Sequence, residues 1–248
     1  MTDPVYRTIL LFDIEQYGSR DDVEQAFLRR VLYDVVDSTL LTAGVEETAR
    51  LRADRGDSVM ELIDTAVPVP NLVKTLLTET PALLHNKNRL LADSARMRLR
   101  IVLSSGYVAV DELDGWVGSD LNHAVRLLNS DPLRDALKQR EADCVLCVSD
   151  GVYEGVVRHG PLGVRPEEFH RATVETKEGP TVAWVHGEPG TGTHGSPEAA
   201  AGSAAPTPEA AAPRHNDTRI KGDQYGQTGG TLHGGQRFDF TGRARDER

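Results

Sequence analysis

The stretch LRADRGDSVMEL, residues 51–62, decides the fold, because it contains two strand-like runs joined by a tight turn. Gly56 lets the backbone bend sharply, so the sequence predicts a hairpin with Asp57 at its tip. A second run, RTILLFDI (residues 7–14), is typical of a strand buried on both faces and ends beside Asp13. If the two strands are neighbours, both carboxylates lie at one edge of the sheet. Carboxylates are ligands of hard divalent cations, so the pattern predicts a site for a pair of metal ions.

The rest of the first 187 residues alternates between helical and strand periodicity. Helices are predicted over residues 19–42, 72–94, 120–138 and 150–157, with a bend at Pro81. Further strands are predicted over residues 46–54, 59–63, 97–110, 144–148, 172–176 and 181–186, with a bulge or close approach at Gly106. Several of these strands are joined by hairpins. The mixture therefore favours an α+β fold, in which helices pack on an antiparallel or mixed sheet.

The composition changes at the end of this region. Residues 186–219 contain no large apolar side chain, so they cannot form a core. We therefore expect a globular domain over residues 1–187 and a disordered linker rich in Ala, Pro and Gly over residues 188–218. Residues 219–248 form a motif rich in Gly and Gln, which either continues the disordered tail or self-assembles as stacked β structure.

Bulk properties exclude several classes of function. The formal net charge of −10, from 28 basic and 38 acidic residues, argues against a nucleic-acid-binding surface. No apolar run approaches the roughly 20 residues that cross a bilayer, and the N-terminus lacks signal-peptide character. The expected location is therefore the cytoplasm. Cys144 and Cys147 have CxxC spacing, but they lie in an apolar run and are interpreted as core packing.

A second group of polar residues lies on the helix predicted after Gly118. Leu121, Ala124, Val125 and Leu128 have the spacing of a core face. Asn122 and Arg126 are one helical turn apart on another face, so an amide and a guanidinium point in the same direction.

Four segments, taken in order, resemble the class III nucleotidyl cyclases, the family of adenylate and guanylate cyclase catalytic domains. The segments are FDIEQY, RGDSVMEL, LSSGYVAV and WVGSDLNHAVRL. The resemblance covers roughly residues 5–187 and is greatest to small actinobacterial proteins with a single cyclase domain. It implies a ferredoxin-like sheet with extra helices and a homodimer with composite sites at the interface.

The resemblance also implies a role for each candidate site residue. Asp13, the Ile14 carbonyl and Asp57 would bind two Mg²⁺ or Mn²⁺ ions per site. Asn122 and Arg126, from the other chain, would position the ribose and stabilise the transition state. Lys177, in the last hairpin, would contact the triphosphate, and Gly56 belongs to the substrate-binding turn. The implied reaction converts a nucleoside triphosphate to a 3′,5′-cyclic nucleotide and pyrophosphate.

The residues that select the base depart from this pattern. Adenylate cyclases of the family have a lysine four residues before the hairpin aspartate and an aspartate seven residues before the helix asparagine. This sequence has Ala53 and Gly115 there. The departure leaves three alternatives: another base, loose specificity, or a domain that binds nucleotide without cyclising it. The neighbouring residues Arg52, Asp54, Arg55 and Asp114 substitute only if the register shifts.

Three functions are consistent with these residues. In the first, the protein is a cytoplasmic nucleotidyl cyclase in bacterial signalling. In the second, it is a catalytically weak or inactive nucleotide-binding adaptor that signals through its C-terminal tail. In the third, Asp13 and Asp57 hold a structural ion or cap the hairpin. Retention of both carboxylates favours the enzyme.

Overall fold

A mixed β-sheet with helices on both faces organises the chain in the computed structural model, which describes residues 3–113, 115–176 and 179–187. The strands are β1 (Val5–Ile14), β2 (Arg50–Asp54), β3 (Ser58–Ile63), β4 (Leu99–Val110), β5 (Trp116–Val117), β6 (Cys144–Ser149), β7 (Phe169–Val174) and β8 (Thr181–His186). The helices are α1 (Asp22–Thr42), α2 (Val69–Asn88), α3 (Ser119–Leu128), α4 (Asp131–Lys138) and α5 (Asp150–Gly155). The predicted α+β fold is confirmed.

The sheet has the strand order β2-β3-β1-β4-β6-β8-β7, and β5 pairs with the end of β4. Strand β1 lies between β3 and β4 and is antiparallel to both. The pairing of β4 with β6 is parallel, while the other pairs are antiparallel. The hairpin β2–β3 is therefore next to β1, as the sequence predicted.

Side chains that alternate along the strands build a separate apolar core on each face of the sheet. Leu10 and Phe12 of β1 pack against α1 and α2 on one face. Ile9 and Leu11 pack against α3 and α4 on the other. We call these the α1–α2 face and the α3–α4 face. Both layers are closed to water, since all four of these β1 residues are fully buried.

Two helix predictions were wrong in detail. Helix α2 ends at Asn88 rather than near residue 94, because the Asn88 side chain donates to the Met97 carbonyl (2.7 Å) and accepts from the Met97 N–H (2.9 Å). The helix predicted over residues 120–138 is two helices, α3 and α4, separated at Asn129 and Ser130. Pro132 lies in the first turn of α4, where its missing N–H is tolerated and where it prevents continuation of α3.

Gly106 is confirmed as a position of close approach. A Cβ atom there would overlap the side chain of Asp120, whose carboxylate accepts from the Tyr107 N–H at 2.7 Å. This contact holds the first turn of α3 against β4.

The remaining predictions concern the cysteines and the tail. Cys147 is buried and Cys144 is partly buried against the core, and burial raises the pKa of each thiol to about 12. Within the described ranges, no helix is long and apolar enough to cross a membrane. The predicted linker and Gly/Gln-rich motif lie outside the described residues.

Candidate functional site

The end of β1 and the β2–β3 turn bring Asp13 and Asp57 together. Asp13 pairs with Ser58 in the ladder between β1 and β3, so Asp57 is one residue beyond this pair. The Ile14 N–H donates to the Asp57 carbonyl at 3.0 Å, which fixes the turn against the strand end. By strand alternation, Asp13 projects onto the α3–α4 face, as Ile9 and Leu11 do.

The Asp13 carboxyl lies in a strongly charged environment. It is 8% exposed, and burial raises its pKa above the usual range. The neighbouring Asp57 carboxylate adds to this rise, while the guanidinium groups of Arg100 and Arg134 oppose it. Arg100, directly opposite in the β1–β4 ladder, donates to Asp13 Oδ2. Two acidic and two basic side chains therefore lie close together at this edge of the sheet.

The donor set at this edge fits a hard divalent cation. It consists of the Asp13 and Asp57 carboxylates and the adjacent Ile14 carbonyl, all oxygen atoms. The Asp57 carboxylate has no hydrogen bond or ion pair in the part of the chain that the structure describes. The same part contains no group of three or more His, Cys, Asp or Glu side chains arranged around a metal. Two carboxylates suit Mg²⁺ that completes its shell with water and substrate phosphate oxygens.

Asn122 and Arg126 occupy the polar side of α3. Leu121, Ala124 and Leu128 are buried against the sheet, as the sequence predicted for the core face. Asn122 is exposed and Arg126 half-buried, one turn apart on the same helix. Asp13 and Asp57 lie on other elements, at the end of β1 and in the β2–β3 turn. One chain thus displays two separate groups of polar residues.

Arg126 also lines an open cleft of about 740 Å³ where α3, α4 and the end of β7 meet. Arg134 and Asn129 form the helical wall, and residues 173–176 form the opposite wall. The cleft has room for a large polar ligand beside two guanidinium groups. Asp13 and Asp57 do not line it.

The two positions expected to select a base, Ala53 and Gly115, have different surroundings. Gly115 lies where a Cβ would come within 2.6 Å of Asp111 Oδ2, and its N–H donates to Asp111 Oδ1 at 2.7 Å. A side chain at position 115 would therefore displace the Asp111 carboxylate from its hydrogen bond with the Gly115 N–H. Ala53 is partly buried against the core of the α3–α4 face. Arg52, its neighbour, points to the opposite face and pairs with Glu61, so it does not substitute for the missing lysine.

The other candidate residues divide into described and undescribed positions. Gly56 has φ +88°, the left-handed conformation that favours glycine, and no atom lies within 4 Å of the place a Cβ would take. Asp54 Oδ1 accepts from the Gly56 N–H at 2.7 Å. Lys177 lies outside the described residues, as does Asp114.

Sequence reasoning missed several charged residues in and near the site. Arg100 interrupts the apolar strand RLRIVLSS, and a charge in a buried strand was a usable signal of a buried partner. Arg134 lies in α4, after a break in the helix that the sequence analysis did not predict, and it lowers the pKa of Asp13. The carboxylate of Glu61, 0% exposed, is held by Arg50 (2.8 Å) and Arg52 (2.5 Å) on the α1–α2 face. Its position beside Met60 and Leu62 gave the sequence the appearance of an ordinary strand.

Comparisons with known proteins identify the fold. No family model and no curated protein matches the sequence. The guanylyl cyclase Cya2 is similar in structure, with TM-score 0.52 and 16% identity over 76% of this chain and 95% of that one. An adenylate/guanylate cyclase/hydrolase from Silicibacter pomeroyi has TM-score 0.52 and 19% identity over 75% and 98%. A bacterial light-regulated adenylyl cyclase has TM-score 0.52 and 16% identity over 77% and 94%.

These similarities confirm the predicted resemblance at the level of the fold. The described chain has the architecture of class III adenylate and guanylate cyclase catalytic domains. The match extends over almost the whole length of those three structures.

Proposed function

We propose that the protein is a metal-dependent nucleotidyl cyclase that converts a nucleoside triphosphate to a 3′,5′-cyclic nucleotide and pyrophosphate in bacterial signalling. The observation that carries the proposal is the pair Asp13 and Asp57, at the junction of β1 and the β2–β3 turn in a cyclase fold. A raised pKa at a paired, buried carboxylate is typical of a functional site.

Asp13, Asp57 and the Ile14 carbonyl would hold two Mg²⁺ or Mn²⁺ ions. Bound cations of this kind lower the pKa of the attacking hydroxyl and neutralise the leaving pyrophosphate. The bond from the ribose 3′-oxygen to the α-phosphorus forms as the bond from that phosphorus to pyrophosphate breaks, and the hydroxyl proton passes to water. Gly56 leaves the hairpin tip open, which lets a phosphate approach the turn.

Asn122 and Arg126 would act on the reacting centre from α3. The Asn122 amide orients the ribose, and the Arg126 guanidinium donates to the α-phosphate oxygens as negative charge accumulates on them. Lys177 would contact the triphosphate. The cleft beside Arg126 supports this assignment, because it is large enough for a nucleotide, and two guanidinium groups, those of Arg126 and Arg134, line it beside the acidic Asp131 and Glu175.

The active form would be a homodimer with composite sites. In one chain, Asn122 and Arg126 lie on α3, whereas Asp13 and Asp57 lie at the end of β1 and in the β2–β3 turn, and neither aspartate lines the cleft beside Arg126. A second copy would supply the missing group to each site. This arrangement predicts that Asp57→Ala and Arg126→Ala proteins are each inactive and that mixing them restores activity in the heterodimer. Absence of rescue at any mixing ratio would contradict the shared site.

One experiment tests the activity and identifies the base. The purified protein is incubated with Mn²⁺ or Mg²⁺ and each of ATP, GTP, CTP and UTP, and products are measured by mass spectrometry. We expect a 3′,5′-cyclic product that Asp57→Ala abolishes. With Ala53 and Gly115 at the base-selecting positions, we expect weaker discrimination between bases than a charged pair would give. No cyclic product from any nucleotide would refute the cyclase proposal.

The lack of a base-selecting side chain at Gly115, beside the Asp111 carboxylate, favours a second candidate function. A domain without base-selecting side chains could bind nucleotide without turnover and act as an adaptor whose tail recruits partners or self-assembles. Removal of residues 188–248 separates the two functions. Retained cyclase activity with lost assembly would assign the tail to output or targeting. Nucleotide binding without turnover, with assembly dependent on those residues, would support the adaptor.

A further inference from the structure

Helix α1 contacts the edge strand β2 through a row of polar side chains. On the helix the residues are spaced by four, so they share one face, and on the strand they alternate, so they also share one face. These residues are Arg29, Tyr33 and Asp37 on α1 and Asp54, Arg52 and Arg50 on β2. We call this set the α1–β2 clamp.

The contacts of the clamp run in register from the hairpin tip to the far end of the strand. Arg29 forms an ion pair with Asp54 Oδ2 nearest the tip. The Arg52 guanidinium lies over the Tyr33 ring, 5.0 Å from its centroid, and the Arg29 guanidinium lies 5.8 Å from the same centroid. Asp37 Oδ1 accepts from Arg52 at 2.6 Å. Each turn of α1 thus contacts successive inward-facing residues of β2.

The far end of the clamp is anchored in the sheet. Arg50 bridges Asp37 (3.0 Å) and the fully buried carboxylate of Glu61 (2.8 Å). Arg52 donates to the same Glu61 oxygen at 2.5 Å. Removing any one partner would leave a buried charge with less compensation, so this end resists displacement. The helix therefore has a rigid base from which to hold the tip.

The tip end of the clamp leads directly to Asp57. Asp54 uses one carboxylate oxygen for Arg29 and the other for the Gly56 N–H (2.7 Å), within the turn itself. The Arg55 N–H donates to the Ser58 carbonyl at 2.9 Å and closes the turn around Asp57. Asp54 therefore joins α1 to the residue immediately before the candidate metal ligand.

We propose that Arg29 is a positioning residue, which acts through Asp54 to hold the β2–β3 turn in the conformation that presents Asp57 to a divalent cation. The inference rests on the proposed function, because it assigns Arg29 to the metal site of that reaction. Mg²⁺ requires nearly ideal octahedral geometry, so a loosely held carboxylate would bind it poorly. Arg29 and Asp57 are too far apart in the sequence to belong to one motif, so the relation between them is visible only in the structure.

The direction of the change in cation affinity in Arg29→Gln separates a positioning role from a purely electrostatic one. Removing a positive charge near a cation site strengthens cation binding if charge alone matters. Loosening a ligand weakens binding. In Arg29→Gln the two effects oppose each other, so weaker binding identifies positioning. Arg30, the exposed neighbour on the same helix, provides a matched control for the change in charge.

The test measures Mn²⁺ affinity by electron paramagnetic resonance for the full-length protein and its variants. We expect Mn²⁺ binding that Asp57→Asn abolishes. In Arg29→Gln and in Asp54→Asn we expect binding about 10-fold weaker, the size usual for residues that orient a metal ligand. The double variant should bind no more weakly than either single variant, because both break the same contact. Arg29→Lys should recover part of the affinity, and Arg30→Gln should match the wild type.

Amide hydrogen exchange over residues 54–58 provides a readout that needs no metal. We expect faster exchange in Arg29→Gln than in Arg30→Gln or the wild type. Unchanged exchange and unchanged Mn²⁺ affinity in Arg29→Gln, with Mn²⁺ still bound by the wild type, would refute the role of Arg29 alone. Wild-type protein that binds no Mn²⁺, even with nucleoside triphosphate present, would refute the proposed metal site and the positioning role with it, whatever the exchange rates.

Discussion

Two buried carboxylates on adjacent strands have opposite surroundings. Asp13 ends β1 on the α3–α4 face, and Glu61 lies in β3 on the α1–α2 face. Burial raises the pKa of both carboxyls, and neighbouring arginines oppose the rise. Glu61 is 0% exposed and accepts hydrogen bonds from two arginines, whereas Asp13 is 8% exposed, is bonded to Arg100 alone among the described residues, and has the Asp57 carboxylate and the Arg134 guanidinium nearby. Glu61, a fully buried carboxylate bonded to two arginines, supports the fold. Asp13, a carboxylate next to another carboxylate, is suited to bind a cation.

The largest expected effect tests the structural side of this comparison. Glu61→Ala leaves Arg50 and Arg52 buried with less compensation, so we expect a loss of about 3–5 kcal/mol in the free energy of unfolding. Chemical denaturation measures this loss. The control is Glu154→Ala, which breaks an exposed ion pair with Arg158 and should cost less than about 1 kcal/mol. Equal losses in the two variants would mean that burial of Glu61 contributes nothing specific.

The second prediction concerns the proposed role of Asp13 as a metal ligand. Asp13→Asn removes a proposed metal ligand, and we expect cyclase activity to fall by about 100-fold or more, since bound metal supplies several kcal/mol to such reactions. The unfolding midpoint should change little, because the variant removes charge repulsion with Asp57 as well as the pair with Arg100. Asp34→Asn, an exposed carboxylate paired with Lys87, should keep full activity. Destabilisation of Asp13→Asn comparable to that of Glu61→Ala would erase the contrast between the two acids.

A smaller effect is expected where α3 meets β4. Gly106→Ala forces a Cβ into the Asp120 side chain, so α3 must shift, at a cost of about 1–3 kcal/mol in stability. The shift should also lower activity through Asn122 and Arg126. The control is Gly18→Ala, where no atom lies within 4 Å of the new Cβ. Unfolding curves and initial rates, measured together, separate the two consequences. An unchanged rate in Gly106→Ala would show that the placement of α3 is not critical.

The smallest expected effect concerns the cysteines. Burial raises the pKa of the Cys144 and Cys147 thiols to about 12, so almost no thiolate is present at mildly alkaline pH. We expect neither thiol to react with iodoacetamide in the folded protein and both to react after unfolding in guanidinium chloride. Rapid labelling of the native protein would contradict the core-packing interpretation. It would also indicate that this end of the sheet opens readily.

Much of the fold was predictable because local sequence determined it. The apolar run in β1, the glycine at the hairpin and the helical periodicity of residues 19–42 each specify an element by themselves. The predictions were wrong where a local signal was overlooked or where a distant contact decided the outcome. Pro132 breaks the helix into α3 and α4 and was a local signal. The end of α2 depends on Asn88 bonding to Met97, across an intervening loop that sequence periodicity does not describe.

The candidate site divides in the same way. The sequence alone determined that Asp13 follows an apolar strand, that Asp57 occupies a glycine turn, and that Asn122 and Arg126 share a helix face, because each of these facts depends on neighbours within a few positions. Only the tertiary structure decided that Arg100 faces Asp13 and that α1 contacts β2 through Arg29 and Asp54. The physical reason is that charge compensation acts between side chains that are close in space and distant along the chain.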